Sequence, residues 1–215
     1  MGVALVYPIK NRPEVPSLWA AFYPRSPMRW EWDEGGDARV ASLWHLREEL
    51  SRSGEVAYLK WFGGRATFFE LETFGLLLSA FGTASQSLPL ARSARNLLDL
   101  LEEQSPLSTK QLKRSADLSG RDNESAYQRA TKQLWQHGHI VGWGEVDEGA
   151  FPSLAMGATS VLFEDIWRRA PATSSEIAWQ RLEKKLGLTS PFLKWARRIQ
   201  KQSEATGRDL RNPFG

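Results

Sequence analysis

The sequence predicts an α+β chain, mostly helical, built as tandem winged helix-turn-helix units with short β-hairpins and a C-terminal helical extension. Three observations carry this. Residues 105–145, SPLSTKQLKRSADLSGRDNESAYQRATKQLWQHGHIVGWGE, read as two short helices, a turn and a strand. Gly63-Gly64 interrupts an aromatic run, as a tight hairpin turn requires. Apolar residues recur at helical spacing ahead of each hairpin. Helix, helix, turn, helix and hairpin is the order of a winged helix-turn-helix.

In chain order, Met1–Ile9 is apolar and β-branched enough for a short strand. Pro16-Ser17 opens a short helix with Leu18, Trp19 and Phe22 on its apolar side, and Pro24 ends it. Asp37 caps a second helix whose Val40, Leu43, Trp44, Leu46 and Leu50 point inward, with Gly54 past its end. The hairpin EVAYLKWFGGRATFFELE follows, then an apolar helix closed by Gly82. The polar connector Thr83–Pro89 marks a boundary. The units expected are residues 1–86, 87–170 and 171–215.

Beyond the connector, Leu97, Leu98 and Leu101 face inward from one helix. Ser108 caps the next, Leu118-Ser119-Gly120 turns the chain, and Asp122 or Asn123 caps the helix that Gly138 ends. HIVGWGEV leaves as a strand, Asp147–Gly149 turns, and AFPSLAM returns, with Pro152 favouring an edge. SVLFEDIWRRA is read as one helix. Two more follow, capped at Ser174 or Ser175 and striped by Phe192, Trp195 and Ile199.

Composition narrows the function. The chain has ten tryptophans and no cysteine, which removes disulfides, thiolate metal sites and thiol nucleophiles. No signal-like start and no span-length apolar run is visible, so a cytoplasmic, non-membrane protein is expected. The formal net charge is +3. Its distribution is uneven: residues 105–140 carry a net +3 and residues 171–215 a net +5, against −2 for residues 1–104 and −3 for residues 141–170. An anionic partner is implied.

Leu18-Trp19, Trp30-Glu31-Trp32, Tyr58-x-Lys60 and Arg65-x-Thr67-Phe68, followed by the helix-turn-helix stretch, resemble proteins related to the AlkZ and YcaQ DNA glycosylases. The resemblance spans about residues 1–170. It implies tandem winged-helix architecture and a link to DNA repair. Those enzymes carry a Gln-x-Gln or Gln-x-Asp element that positions water. Here the only such triplet, Gln200-Lys201-Gln202, lies on the basic C-terminal helix outside any winged unit. It is read as chance, so architecture and a nucleic-acid role carry over and catalysis does not.

Candidate contacts follow from the helix faces. With Tyr127, Ala130 and Leu134 inward, the helix Glu124–His137 turns Gln128, Arg129, Lys132 and Gln133 outward, side chains suited to base edges or phosphates. They also suit an ordinary solvated helix face. Lys110, Lys113 and Arg114 on the preceding helix can hold phosphates. Lys60 and Arg65 flank the Gly-Gly turn among aromatic rings that serve either a core or base stacking. Arg197 and Arg198 lie on the basic tail. Against DNA stands an expected acidic hairpin tip of Glu145, Asp147 and Glu148, which would instead suit a protein partner.

Enzymatic signatures are sparse. His137-x-His139 has too few ligands for zinc. Glu31, Asp33, Glu34 and Asp37 read as a polar turn with a helix cap. No catalytic residue, metal or cofactor is assigned. The function expected is a non-enzymatic DNA-binding protein tied to repair or transcription. A protein adaptor on the same scaffold and a divergent glycosylase are the alternatives.

Overall fold

A computed structural model describes residues 2–29, 37–85, 89–147 and 152–211, without the side chains of 147 and 206–211. The chain is α+β and mostly helical around one sheet. The strands are β1 (Val3–Leu5), β2 (Val56–Phe62), β3 (Arg65–Glu70), β4 (Leu107–Ser108), β5 (Ile140–Asp147) and β6 (Pro152–Ala158). They lie in the order β1-β3-β2-β5-β6-β4, every pairing antiparallel.

Between the strands run helices α1 (Leu18–Phe22), α2 (Ala38–Arg52), α3 (Leu71–Phe81), α4 (Arg92–Gln104), α5 (Thr109–Ser115) and α6 (Glu124–His137). After β6 come α7 (Thr159–Leu162), α8 (Glu164–Arg169), α9 (Ser175–Leu186) and α10 (Pro191–Arg211).

Strand alternation sends side chains to two faces. Ala57, Leu59 and Trp61 enter the main core with Phe69, beneath α3, α4, α6, α9 and α10. Tyr58 and Phe68 enter a smaller cluster with Val6, Trp19 and Leu43, covered by α1 and α2. Each face thus receives its own apolar set from the same residues of β2 and β3, which fixes the register at Tyr58 opposite Phe68.

The sheet crosses the Thr83–Pro89 connector, because β2 meets β5 where Tyr58 pairs with Gly142. The Tyr58 ring packs over Gly142, and a Cβ there would collide with it. Beside this joint, Arg47 of α2 and Glu145 of β5 form a buried ion pair. Arg47 also stacks 3.9 Å from the Trp44 ring. Ser51 Oγ accepts from Gly144 N at 2.9 Å, and Arg52 donates to the Glu145 carbonyl.

Several local readings hold. Ser17, Asp37, Ser108 and Ser174 each accept a first-turn N–H, and Ser108 with Gln111 completes a capping box. Gly82 and Gly138 end α3 and α6 in the left-handed conformation.

Others need correction. Phe22 stays 56% exposed, while Trp19 alone in α1 is buried. Asn123 does not cap α6; its amide turns back to the carbonyls of Asp117 and Ser119. Residues 160–170 are not one helix but break at Phe163, whose ring is drawn into the core beside Phe74. Pro152, by contrast, takes the edge-like place expected of it, because β4 meets β6 only at Ala155 and Met156 and stops short of it. Among the described residues no helix is long and apolar enough to cross a membrane.

Candidate nucleic-acid interface

The outward face of α6 is one wall of a cleft. Facing it are the end of β2, the Gly63-Gly64 turn and Trp195 of α10, with Thr109 of α5 at one end. The cleft encloses about 470 Å³, within the usual range for small-ligand sites. Lys60 comes from β2, and Gln128, Arg129 and Lys132 from α6. Residues more than sixty positions apart are thus brought together.

Lys60 enters the cleft lining at the irregular end of β2, although it shares the strand face of Tyr58 and its charge sits in the opposing fields of Arg47 and Glu145. The β2–β3 pairing shifts register between Lys60 and Phe62, and Gly63 and Gly64 both take positive φ (60° and 77°) to turn the chain. Lys60 is exposed, yet burial of its stem and ammonium pushes its pKa below the ordinary lysine value, and the nearby Arg47 adds to this. Among the described residues Lys60, Arg129 and Lys132 make no ion pair.

The floor is aromatic. Trp61 donates its indole N–H to the Gln136 carbonyl at 3.0 Å, and Trp195 donates its own to the Trp61 carbonyl at 3.1 Å. Both indole N–H groups are satisfied by backbone, so what the cleft receives from these residues is carbon surface. Trp61, Trp135 and Tyr127 are buried and form the base of the cleft, whereas Trp195 is half-buried. Burial pushes the Tyr127 phenol up to about 12, so it stays neutral.

The remaining expected contacts separate from this group. Gln133 is not on a solvated face: its side chain accepts from Ala91 N and donates to the Pro89 carbonyl, clasping the start of α4. Lys113 pairs with Glu124 at 2.6 Å and sits 4.6 Å from the Tyr127 ring centre. Lys110 and Arg114 are exposed on α5. Arg65 is exposed on β3 just past the turn. Arg197 is held by Glu183 at 2.6 Å and lies 3.9 Å from the Trp179 ring centre. Arg198 is exposed, in a second groove with Lys194 and Lys201.

The acidic hairpin is also corrected in part. Glu145 is not at a tip; its side chain is only 9% exposed and neutralised by Arg47. Repulsion of DNA by this residue therefore fails as an argument, as does its use by a protein partner. The side chain of Asp147, and Glu148 altogether, lie outside the described residues, as do Trp30, Glu31, Trp32, Asp33 and Glu34. Asp37 caps α2 and binds Arg39, consistent with the polar turn.

Sequence reasoning missed the role of Trp61, Trp135 and Trp195 as one surface, since each read only as core on its own element. It also missed the His137–Ser203 contact. His137 Nδ1 lies 3.0 Å from the Gln133 carbonyl, so it must carry the proton, and Nε2 then accepts from Ser203 Oγ at 2.7 Å. The contact fastens α10 onto α6 beside a cavity of about 220 Å³ that includes Gln202 of the Gln-x-Gln triplet. Gln200 instead bonds Arg197. Among the described residues no group of three or more His, Asp or Glu could hold a metal.

A family model described as AlkZ related matches residues 1–196. The chain matches no curated protein and no solved structure. The match covers both sides of the joint between β2 and β5, the whole cleft and the start of α10, so this chain belongs to the AlkZ-related family.

Proposed function

We propose that the protein binds nucleic acid, DNA first among candidates, at the cleft between the β2–β3 turn and α6. The observation that carries this reading is that Arg129 and Lys132, which make no ion pair among the described residues, line one cleft with Trp61, Trp135 and Trp195, with Lys60 on its strand edge. Cations supply the affinity for a polyphosphate, and flat rings offer stacking surface. Arg65, Lys110 and Arg114 extend the positive rim, and Arg198 with the tail adds a second patch.

On this reading α4 to β6 form a winged helix-turn-helix whose hairpin is joined, through β5, to a second unit made of the preceding elements. The function is binding rather than bond cleavage, in keeping with the placement of Gln200 against Arg197. Membership of the AlkZ-related family points to DNA repair as the setting. The test is fluorescence anisotropy with labelled DNA across a salt series. Sub-micromolar binding at low salt with a steep negative salt slope is expected, and no binding at 20–50 mM salt (roughly the lower limit of such titrations) refutes the reading. Incubation with N7-alkylated duplex followed by abasic-site cleavage should leave the strand intact.

A further inference from the structure

We infer that the cleft receives one unpaired nucleotide of a single strand, its base against Trp195 and its phosphate between Arg129 and Lys132. The inference rests on the nucleic-acid reading above and narrows it from polymer to mode of binding. A recognition helix that reads duplex DNA must project into a major groove about 12 Å wide, and a helix with its side chains fills that width. Here α6 does not project. Gln128, Arg129 and Lys132 line a cleft whose opposite wall is the Gly63-Gly64 turn and Trp195. Gln133 is held by the chain leading into α4, and Glu124 at the helix start is occupied by Lys113 and Gln128. Gln128 and Gln133 are thus engaged within the protein, and Arg129 and Lys132, though exposed, stand at a cleft wall.

An isolated nucleotide suits the same geometry. It presents a flat ring and a phosphate a few ångströms apart, and the cleft is lined by a half-buried indole and by the exposed Arg129 and Lys132. Trp195 is fixed by its N–H bond to the Trp61 carbonyl and by packing on Phe62, 5.4 Å between ring centres, so it is a preformed platform. Gln136, on the cleft wall, can hydrogen-bond a base edge with its side-chain amide. Because every base has a π-face, little sequence preference is expected.

The full-length protein is titrated with labelled dT12, U12 and a 12-base-pair duplex (lengths chosen at about one single-strand site), following anisotropy and tryptophan emission. Single strands should bind at least roughly tenfold tighter than the duplex and quench tryptophan emission, as base stacking on an indole requires. Equal loss for dT12 and U12 on substitution places the recognition in base and phosphate; a difference between them assigns a role to the 2′-hydroxyl or the thymine methyl without changing the site. Trp195→Ala should weaken single-strand binding by roughly 5- to 100-fold, with Trp195→Phe recovering most of it. Lys132→Glu, at an exposed position that leaves the core intact, should lower the single-strand salt slope by about 0.7 or more. Duplex binding as tight as single-strand binding, with Trp195→Phe and Trp195→Ala equivalent, overturns this inference and leaves the nucleic-acid reading standing. Binding to none of the three overturns both.

Discussion

Replacing Arg47 by Ala probes the joint on which the cleft depends. The Glu145 side chain is 9% exposed and that of Arg47 10%, and they face each other across the line where β5 meets α2 and β2. Removing the guanidinium leaves a carboxylate in a site that excludes water; among the described residues no other cationic side chain bonds it, the Arg52 guanidinium reaching only its backbone carbonyl and Lys60 acting only through its field. Breaking a buried pair from one side costs about 3–5 kcal/mol. The loss of stacking on Trp44 adds to it. Against a total stability of about 5–15 kcal/mol for a native protein, this is a large fraction. Urea unfolding followed by tryptophan fluorescence and far-UV circular dichroism is the assay, and both probes should report one coincident transition, because one sheet spans the chain. The double variant Arg47→Met with Glu145→Leu removes both charges at similar volume and should lie within about 1–2 kcal/mol of the parent, on either side. A single-variant loss below about 1 kcal/mol, or a double variant as weak as the single, refutes the reasoning, since either would mean the carboxylate is solvated.

Four further outcomes are expected. Gly142→Ala drives a methyl into the buried Tyr58 ring and should cost about 1–3 kcal/mol as overpacking, read by thermal unfolding; a neutral effect would show that the β2–β5 joint is loose. Acid should destabilise the fold through His137 and His139, both pushed below the ordinary imidazole value by burial, His139 to about 3. Their folded pKa values lie below the unfolded one, so the unfolded chain binds more protons; stability is full above about pH 6.5 and falls below it by up to about 1.4 kcal/mol per pH unit for each histidine. A urea midpoint unchanged between pH 7 and 5 would contradict this. Ser108→Ala removes one half of the capping box at the start of α5 and should lower stability by about 1 kcal/mol in denaturant titration, whereas Ser108→Thr should not. Arg129→Glu should weaken DNA binding and flatten its salt dependence, while Arg197→Gln, whose guanidinium already serves Glu183 and Trp179, should change binding little in the same anisotropy titration.

The order of amino acids alone carries the order and kind of most elements, because helix caps, glycine stops and apolar periodicity act over a few neighbouring residues. Ser108, Gly138 and the Gly63-Gly64 turn are legible for that reason. It also determined which cations stand on α6, since the inward stripe of Tyr127, Ala130 and Leu134 leaves Arg129 and Lys132 no other direction. Which surfaces face one another is set only in the folded chain. That Trp195 joins Trp61 in one cleft, that Glu145 is neutralised by Arg47 rather than displayed, and that Gln133 clasps Pro89 all follow from contacts between residues 40 to 135 positions apart. Local pattern carries no record of such distances. They are set by how two faces of one sheet share out their apolar side chains, and that is a property of the assembled core.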